Sequence, residues 1–240
     1  MPGGDDLTGS ADDGGGRATR FIALCSAAVR TLPIAGASLA LMSEGQHRGL
    51  VAASDDVASR LDDVQLTLGE GPSVDAFSRR HPVLVDDLAD IGIETRWPAF
   101  AGAAAGMGAR AIIALPLQIG AISLGVLTMY RGDPGGLSGE ELAQALRVAD
   151  AAAYALLDLA VPSVDSGSPN GTAQHDGHDG PIDAFFVGAE VHQASGMLMV
   201  QLGVPIEVAL ARLRAYAFAQ DRPVRDVARD VVSRGLLLER

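Results

Sequence analysis

The 240-residue chain is 48% apolar and carries a formal net charge of -12. That apolar content is enough for packed cores, while the acidic balance excludes a protein that coats nucleic acid by bulk electrostatics and gives no attraction to anionic membranes. The single cysteine, Cys25, excludes intramolecular disulfides and zinc clusters built on paired thiols, which fits a reducing cytoplasm.

Residues 1–16 are rich in Gly and Asp, with no basic start and no apolar run, so they read as a disordered tail and not as a signal peptide. No apolar stretch is long enough to span a bilayer. From Arg17 the pattern turns helical, with Phe21, Leu24, Cys25, Ala28 and Leu32 at three- and four-residue steps up to Pro33. Two extended runs, 37–42 and 50–53, flank the polar turn Ser43-Glu44-Gly45-Gln46 and predict a β-hairpin. A short polar helix over 55–61 then leads into Val64-Gln65-Leu66-Thr67-Leu68, whose alternation predicts a half-buried strand.

The turn Gly69-Glu70-Gly71-Pro72-Ser73 breaks the chain sharply. It lacks the GxxxxGK[ST] pattern of a phosphate loop, so its glycines read as turn residues. A helical run (Val74, Ala76, Phe77) and an extended segment over 82–88 follow. Trp97-Pro98 opens a small-residue helix over 99–106, and residues 110–118 and 123–131 form two strands about the turn Ile119-Gly120-Ala121. Ser138 starts a long helix over 137–159, with Glu140 and Glu141 in its first turn. Its stripe of Leu142, Leu146, Ala149, Ala153, Leu156 and Leu159 fits either packing on the sheet or pairing with a second copy.

Residues 161–182 read as a flexible linker of Ser, Gly, Asp, Pro and Asn. His175 and His178 lie within it, but two histidines without further fixed ligands do not make a metal site. Residues 183–240 hold seven Arg against seven Asp plus Glu, so the tail is neutral and the remaining residues carry the whole net charge. Every basic residue in the chain is Arg, whose planar fork suits phosphates and base edges.

Three amphipathic helices are predicted in this tail. The first carries Val187, Val191, Ala194, Leu198 and Leu202 and stops at Gly203. The second follows Pro205 and buries Ile206, Ala209, Leu210, Leu213 and Ala217; the third follows Pro223, buries Val224, Val227, Ala228 and Val231, and ends at Gly235. Projection at about 100° per residue sets Arg222, Arg225 and Arg229 on one ridge opposite the third helix's apolar stripe, although Asp226 and Asp230 interrupt it. Gly196 and Met199 fall on the side of the first helix away from its core stripe, which predicts a close approach to that backbone.

Two resemblances follow from these segments. Residues 17–160 resemble a GAF-type sensor domain through Leu68-Gly69-Glu70-Gly71-Pro72, the segment 83–88, and Ile112-Ile113-Ala114-Leu115-Pro116-Leu117 with Leu124-Gly125-Val126-Leu127. The family often places Cys after this turn where the chain has Ser73, so thiol-based sensing there is not implied. Residues 183–240 resemble the ANTAR domain of transcription antiterminators through Ala194-Ser195-Gly196-Met197-Leu198-Met199, Gly203, Glu207, Ala209-Leu210, Leu213, Asp226-Val227-Ala228 and Val231. The family usually has a basic residue at the position of Ser195.

The expected architecture is an α+β GAF-like domain, with an antiparallel sheet flanked by helices, followed by a small all-α three-helix bundle. The resemblance implies a signal-responsive regulator that binds hairpins in nascent RNA and acts by antitermination, as a homodimer with the GAF-like domain as sensor and dimerisation module. On that reading Ala194 and Gly196 permit close approach, Ser195 offers a hydroxyl, and Arg222, Arg225 and Arg229 meet phosphates. Ser195 and the neutral tail also fit an alternative, a sensor or dimerisation protein whose tail has lost RNA binding and contacts a protein partner.

For a small-molecule ligand of the GAF-like domain, Trp97 and Phe100 are candidate pocket walls and Asp86 and Asp87 candidate polar contacts, although an aromatic at such a position more often serves as core. No cofactor is identified. No nucleophile triad, paired-carboxylate motif or HExxH points to an enzyme, and methionine sulfoxide reduction, known in some GAF-like domains, needs several cysteines.

Overall fold

The structure, a computed structural model, describes residues 13–43, 46–160, 189–220 and 222–236. The linker histidines lie outside these residues. Helix α1 (Asp13–Thr31) begins inside the segment expected to be a disordered tail. It leads into the hairpin β1 (Gly36–Ser43) and β2 (Gln46–Ala53). Helices α2 (Asp56–Leu68) and α3 (Pro72–Arg79), strand β3 (Val83–Val85), and helices α4 (Ile93–Arg96) and α5 (Phe100–Gly106) follow. Strands β4 (Ala111–Ile119) and β5 (Ile122–Arg131) and helix α6 (Gly139–Ala160) complete the first domain.

The five strands form one antiparallel sheet in the order β2-β1-β5-β4-β3. Period-two alternation decides which face each side chain serves. Ile113, Leu115 and Leu117 join Phe21, Cys25 and Ala149 under α1 and α6, whereas Ile112 and Ala114 join Ala58, Leu61 and Phe77 on the opposite face. The result is a sheet covered on both sides. On α6, Ala149, Ala153 and Leu156 of the expected stripe are buried against this core, while Leu146 stays 40% exposed.

The segment 64–68 is helical, contrary to the strand expected from its alternation. Ala58, Leu61, Asp62, Gln65 and Leu66 make a buried i, i+3, i+4, i+7 stripe along a single 13-residue α2. Asp55 caps its start by accepting from the Ala58 amide, and Gly69 ends it in the left-handed conformation at φ 68°. Helix period over the whole segment overrides a five-residue alternation.

The turn that follows joins three elements. Glu70 Oε1 accepts from the amides of Ala99 and Phe100 at 2.8 and 2.9 Å, and so caps the start of α5. Gly71 sits at φ 134°, where an added Cβ would come within 2.6 Å of Gln65 Oε1, so the position admits no side chain. Pro72 opens α3. Buried Ser73 donates its amide to Gln65 Oε1 at 2.8 Å and hydrogen-bonds through its hydroxyl to Thr128 Oγ1 at 2.7 Å. Where the family often has a thiol, this chain uses the hydroxyl to tie α3 to the sheet.

The tail is three helices, α7 (Ala189–Leu202), α8 (Ile206–Ala219) and α9 (Val224–Val232). Val191, Ala194, Leu198, Ala209, Leu213, Val227 and Val231 fill their shared core. Ile206, expected inside, is 39% exposed. The left-handed residue after α9 is Arg234, at φ 59°, while Gly235 next to it donates its amide back to the Asp230 carbonyl.

Candidate nucleic-acid interface

The bundle's core is not built from the tail alone. Leu66 of α2, fully buried, belongs to the same apolar cluster as Val191, Leu213 and Val227. Beside it the Val224 amide donates to Thr67 Oγ1 at 3.3 Å, giving the first turn of α9 an acceptor from the other domain. Helix α2 thus packs its inner side on the sheet and its outer side on the tail.

Arg225 completes the junction. Its guanidinium ion-pairs with the Asp63 carboxylate through Nε and lies 4.0 Å from Asp62 through Nη2, with only 9% of its side chain exposed. Asp62 is fully buried. Carboxylates on a buried helix stripe require a cation, and the tail supplies it. Arg214 of α8 approaches the C-terminal end of α2: its Nη1 lies 3.5 Å from where a Cβ on Gly69 would stand, beside the carbonyl end of the helix. Burial pushes the Arg214 guanidinium below its ordinary value.

The arginine ridge expected from the helical projection is therefore divided. Arg222 precedes the first residue of α9 and hydrogen-bonds to Asp230 at 2.7 Å, which raises it above its ordinary value. Arg229 is exposed and pairs with Asp226 at 3.1 Å and with Glu190 of α7 at 3.9 Å. Arg225 lies about 60° from Ala228 around the helix, on the flank of the apolar stripe and not opposite it. That flank faces α2.

On α7, Ala194 is fully buried and Ser195 is 2% exposed, its hydroxyl donating to the Val191 carbonyl at 2.7 Å. Neither is on the surface in this arrangement. Gly196 is half-buried, and a Cβ there would meet no described atom within 4 Å, so the close approach expected at its backbone is not made. Of the six candidate RNA contacts, Arg222, Gly196 and Arg229 are accessible; Ala194, Ser195 and Arg225 are held inside.

The candidate pocket residues of the first domain also have structural partners. Trp97 and Phe100 are buried in the core with rings edge to face, centroids 6.3 Å apart. The Arg96 guanidinium covers the Trp97 ring at 4.3 Å. Asp87 accepts from the Ala89 amide and from Arg110, and the amide chiefly holds its carboxyl below the ordinary value. Asp86 is exposed, and its main-chain carbonyl accepts from the Gly135 amide. A cleft of about 520 Å³ opens between the domains, walled by α2 and the α5 region on one side and by the end of α8 and the approach to α9 on the other. None of Trp97, Phe100, Asp86 and Asp87 is among the residues that wall it.

Residues that periodicity alone did not single out, Asp62, Asp63, Leu66 and Thr67, make the junction. The available signal was the Asp62-Asp63 pair beside Leu61 and Leu66, once that segment is read as one helix.

A five-stranded antiparallel sheet between helices, with a three-helix module on one of them, makes an α+β domain joined to a small all-α domain. The GAF domain family matches residues 21–157 and the ANTAR domain family residues 188–232. The chain belongs to the GAF domain family and carries an ANTAR domain at its C-terminal side. No curated protein matches the chain.

Among solved structures, the GAF domain region of a membrane protein from Geobacter sulfurreducens is 15% identical, with 60% of this chain and 94% of that one covered and a TM-score of 0.49. A domain of a sensor histidine kinase from Sinorhizobium meliloti is 20% identical, covering 58% and 90%, with a TM-score of 0.46. The GAF-B domain of DevS from Mycobacterium smegmatis is 21% identical, covering 59% and 93%, with a TM-score of 0.43. Among the described residues no single helix is long and apolar enough to cross a membrane.

Proposed function

We infer that the GAF domain and the ANTAR domain together make a regulator with an RNA-binding module. We propose that this regulator binds hairpins in nascent RNA through residues 183–240 and acts by antitermination, with residues 17–160 as the sensor and dimerisation module. We further propose that docking of the tail on α2 is its resting state. The observation that carries this reading is the burial of Arg225 against Asp62 and Asp63. A cation suited to phosphate is withheld by carboxylates of the sensor, and undocking would release it. Filter binding over candidate leader hairpins tests the function: salt-sensitive, sequence-selective retention supports it, and its absence in both docked and released forms refutes it.

A second reading, a tail that contacts protein, is favoured by the apolar surface of the bundle. Val200 is 78% exposed and Phe218 65% exposed, on a module with no net charge.

A further inference from the structure

The cleft between the domains has an unusual make-up for an acidic protein. Its walls are mainly apolar, with Val64 and Leu68 of α2 facing Met107 on the α5 side and Phe218 of α8. Two guanidiniums, Arg60 of α2 and Arg222 before α9, come from the two different domains. The carboxylate in the lining, Asp63, is engaged by Arg225, and Arg222 is engaged by Asp230. Arg60 has no carboxylate within ion-pair distance among the described residues. Arg60, at an exposed position, is thus the guanidinium of the lining without an ion pair among the described residues, beside an apolar chamber of a size that suits a small molecule. Apolar ligand pockets also occur preferentially at domain interfaces.

We propose that this cleft binds an amphipathic carboxylate, its apolar body between Leu68, Met107 and Phe218 and its anionic head at Arg60. Because the walls belong to both domains, such a ligand binds the docked arrangement better than the released one and shifts the population toward it. Resting on the RNA-binding reading above, the consequence is negative regulation: the ligand holds the tail on α2, keeps Arg225 buried and lowers affinity for RNA.

The test uses the full chain and decanoate as probe, with decanamide as its uncharged counterpart, in isothermal titration. One decanoate per chain is expected, bound at least tenfold more tightly than decanamide. Arg60→Gln and Phe218→Glu, both at exposed positions, are each expected to weaken decanoate at least tenfold. No decanoate binding at millimolar concentration, or equal binding by Arg60→Gln and wild type, overturns the proposal. A parallel filter-binding arm separates the two claims. Hairpin retention reduced by decanoate in wild type but not in Arg60→Gln supports both. Retention unaffected by bound decanoate overturns the negative regulation. No retention in any form refutes the RNA reading, while the titration still decides the site.

Discussion

Arg225 of α9 and Asp63 of α2 form an ion pair across the boundary between the sensor and the RNA-binding module, with 9% and 16% of their side chains exposed. Removing one partner of a buried pair typically costs about 3–5 kcal/mol, because the other charge is left without compensation. On the proposed resting state, the tail responds by leaving α2 and hydrating Arg225. Asp63→Asn is therefore expected to raise amide hydrogen exchange in α9 and in residues 62–68 while leaving the sheet protected. Uniform loss of protection across both domains would indicate a purely structural pair.

Ser195→Lys sharpens the comparison with the family's usual basic residue. At a position 2% exposed, with its hydroxyl bonded to Val191, a lysine ammonium cannot remain in the docked arrangement without a large desolvation cost. The substitution is expected to lower the melting temperature of the docked form by several degrees, corresponding to a loss on the order of 2 kcal/mol. A differential scanning measurement with no change would mean that this face of α7 is already open in solution.

Glu70→Ala removes the acceptor for two amides at the start of α5. The expected cost is about 1–2 kcal/mol in urea unfolding, with an unchanged slope, as for the loss of a helix cap. An effect below a few tenths of a kcal/mol would contradict the capping role.

Cys25 lies buried on the inner face of α1, and desolvation pushes its thiol from 9.0 up to about 12. The folded protein holds the neutral thiol, whereas the unfolded chain ionises it above pH 9. The stability associated with this group is thus fully present below pH 9 and is lost as pH rises toward 12, by up to about 1.4 kcal/mol per unit. Urea unfolding of wild type and Cys25→Ala is expected to diverge in slope above pH 9; parallel curves would contradict the burial of the thiol.

How far the sequence foretold this molecule varies with the range of the interactions. The hairpins 37–53 and 111–131 were legible because alternation and turn residues act within a few positions, and the tail's three helices because Gly203, Pro205 and Pro223 mark their limits. Helix α2 was not. Val64-Gln65-Leu66-Thr67-Leu68 alternates, and only the wider stripe from Ala58 to Leu66 reveals the helix. The arginine ridge failed for a related reason: Arg222 lies outside α9, and projection cannot say which flank a second domain will cover. Trp97 and Phe100 were visible as large apolar residues, but whether they wall a cavity or fill a core depends on what packs against them. Asp63 and Arg225 stand far apart in sequence, and no local pattern pairs them.

The central claim is that residues 183–240 bind RNA and that α2 restrains them. The most direct measurement is filter binding of a candidate leader hairpin, across a salt series, to wild type, Asp63→Asn and the double variant Asp63→Asn/Arg225→Gln. The account predicts at least tenfold tighter, salt-sensitive binding for Asp63→Asn than for wild type, with the gain lost in the double variant. Equal affinity of wild type and Asp63→Asn would contradict the restraint, and no sequence-selective retention by any of the three would contradict RNA binding itself.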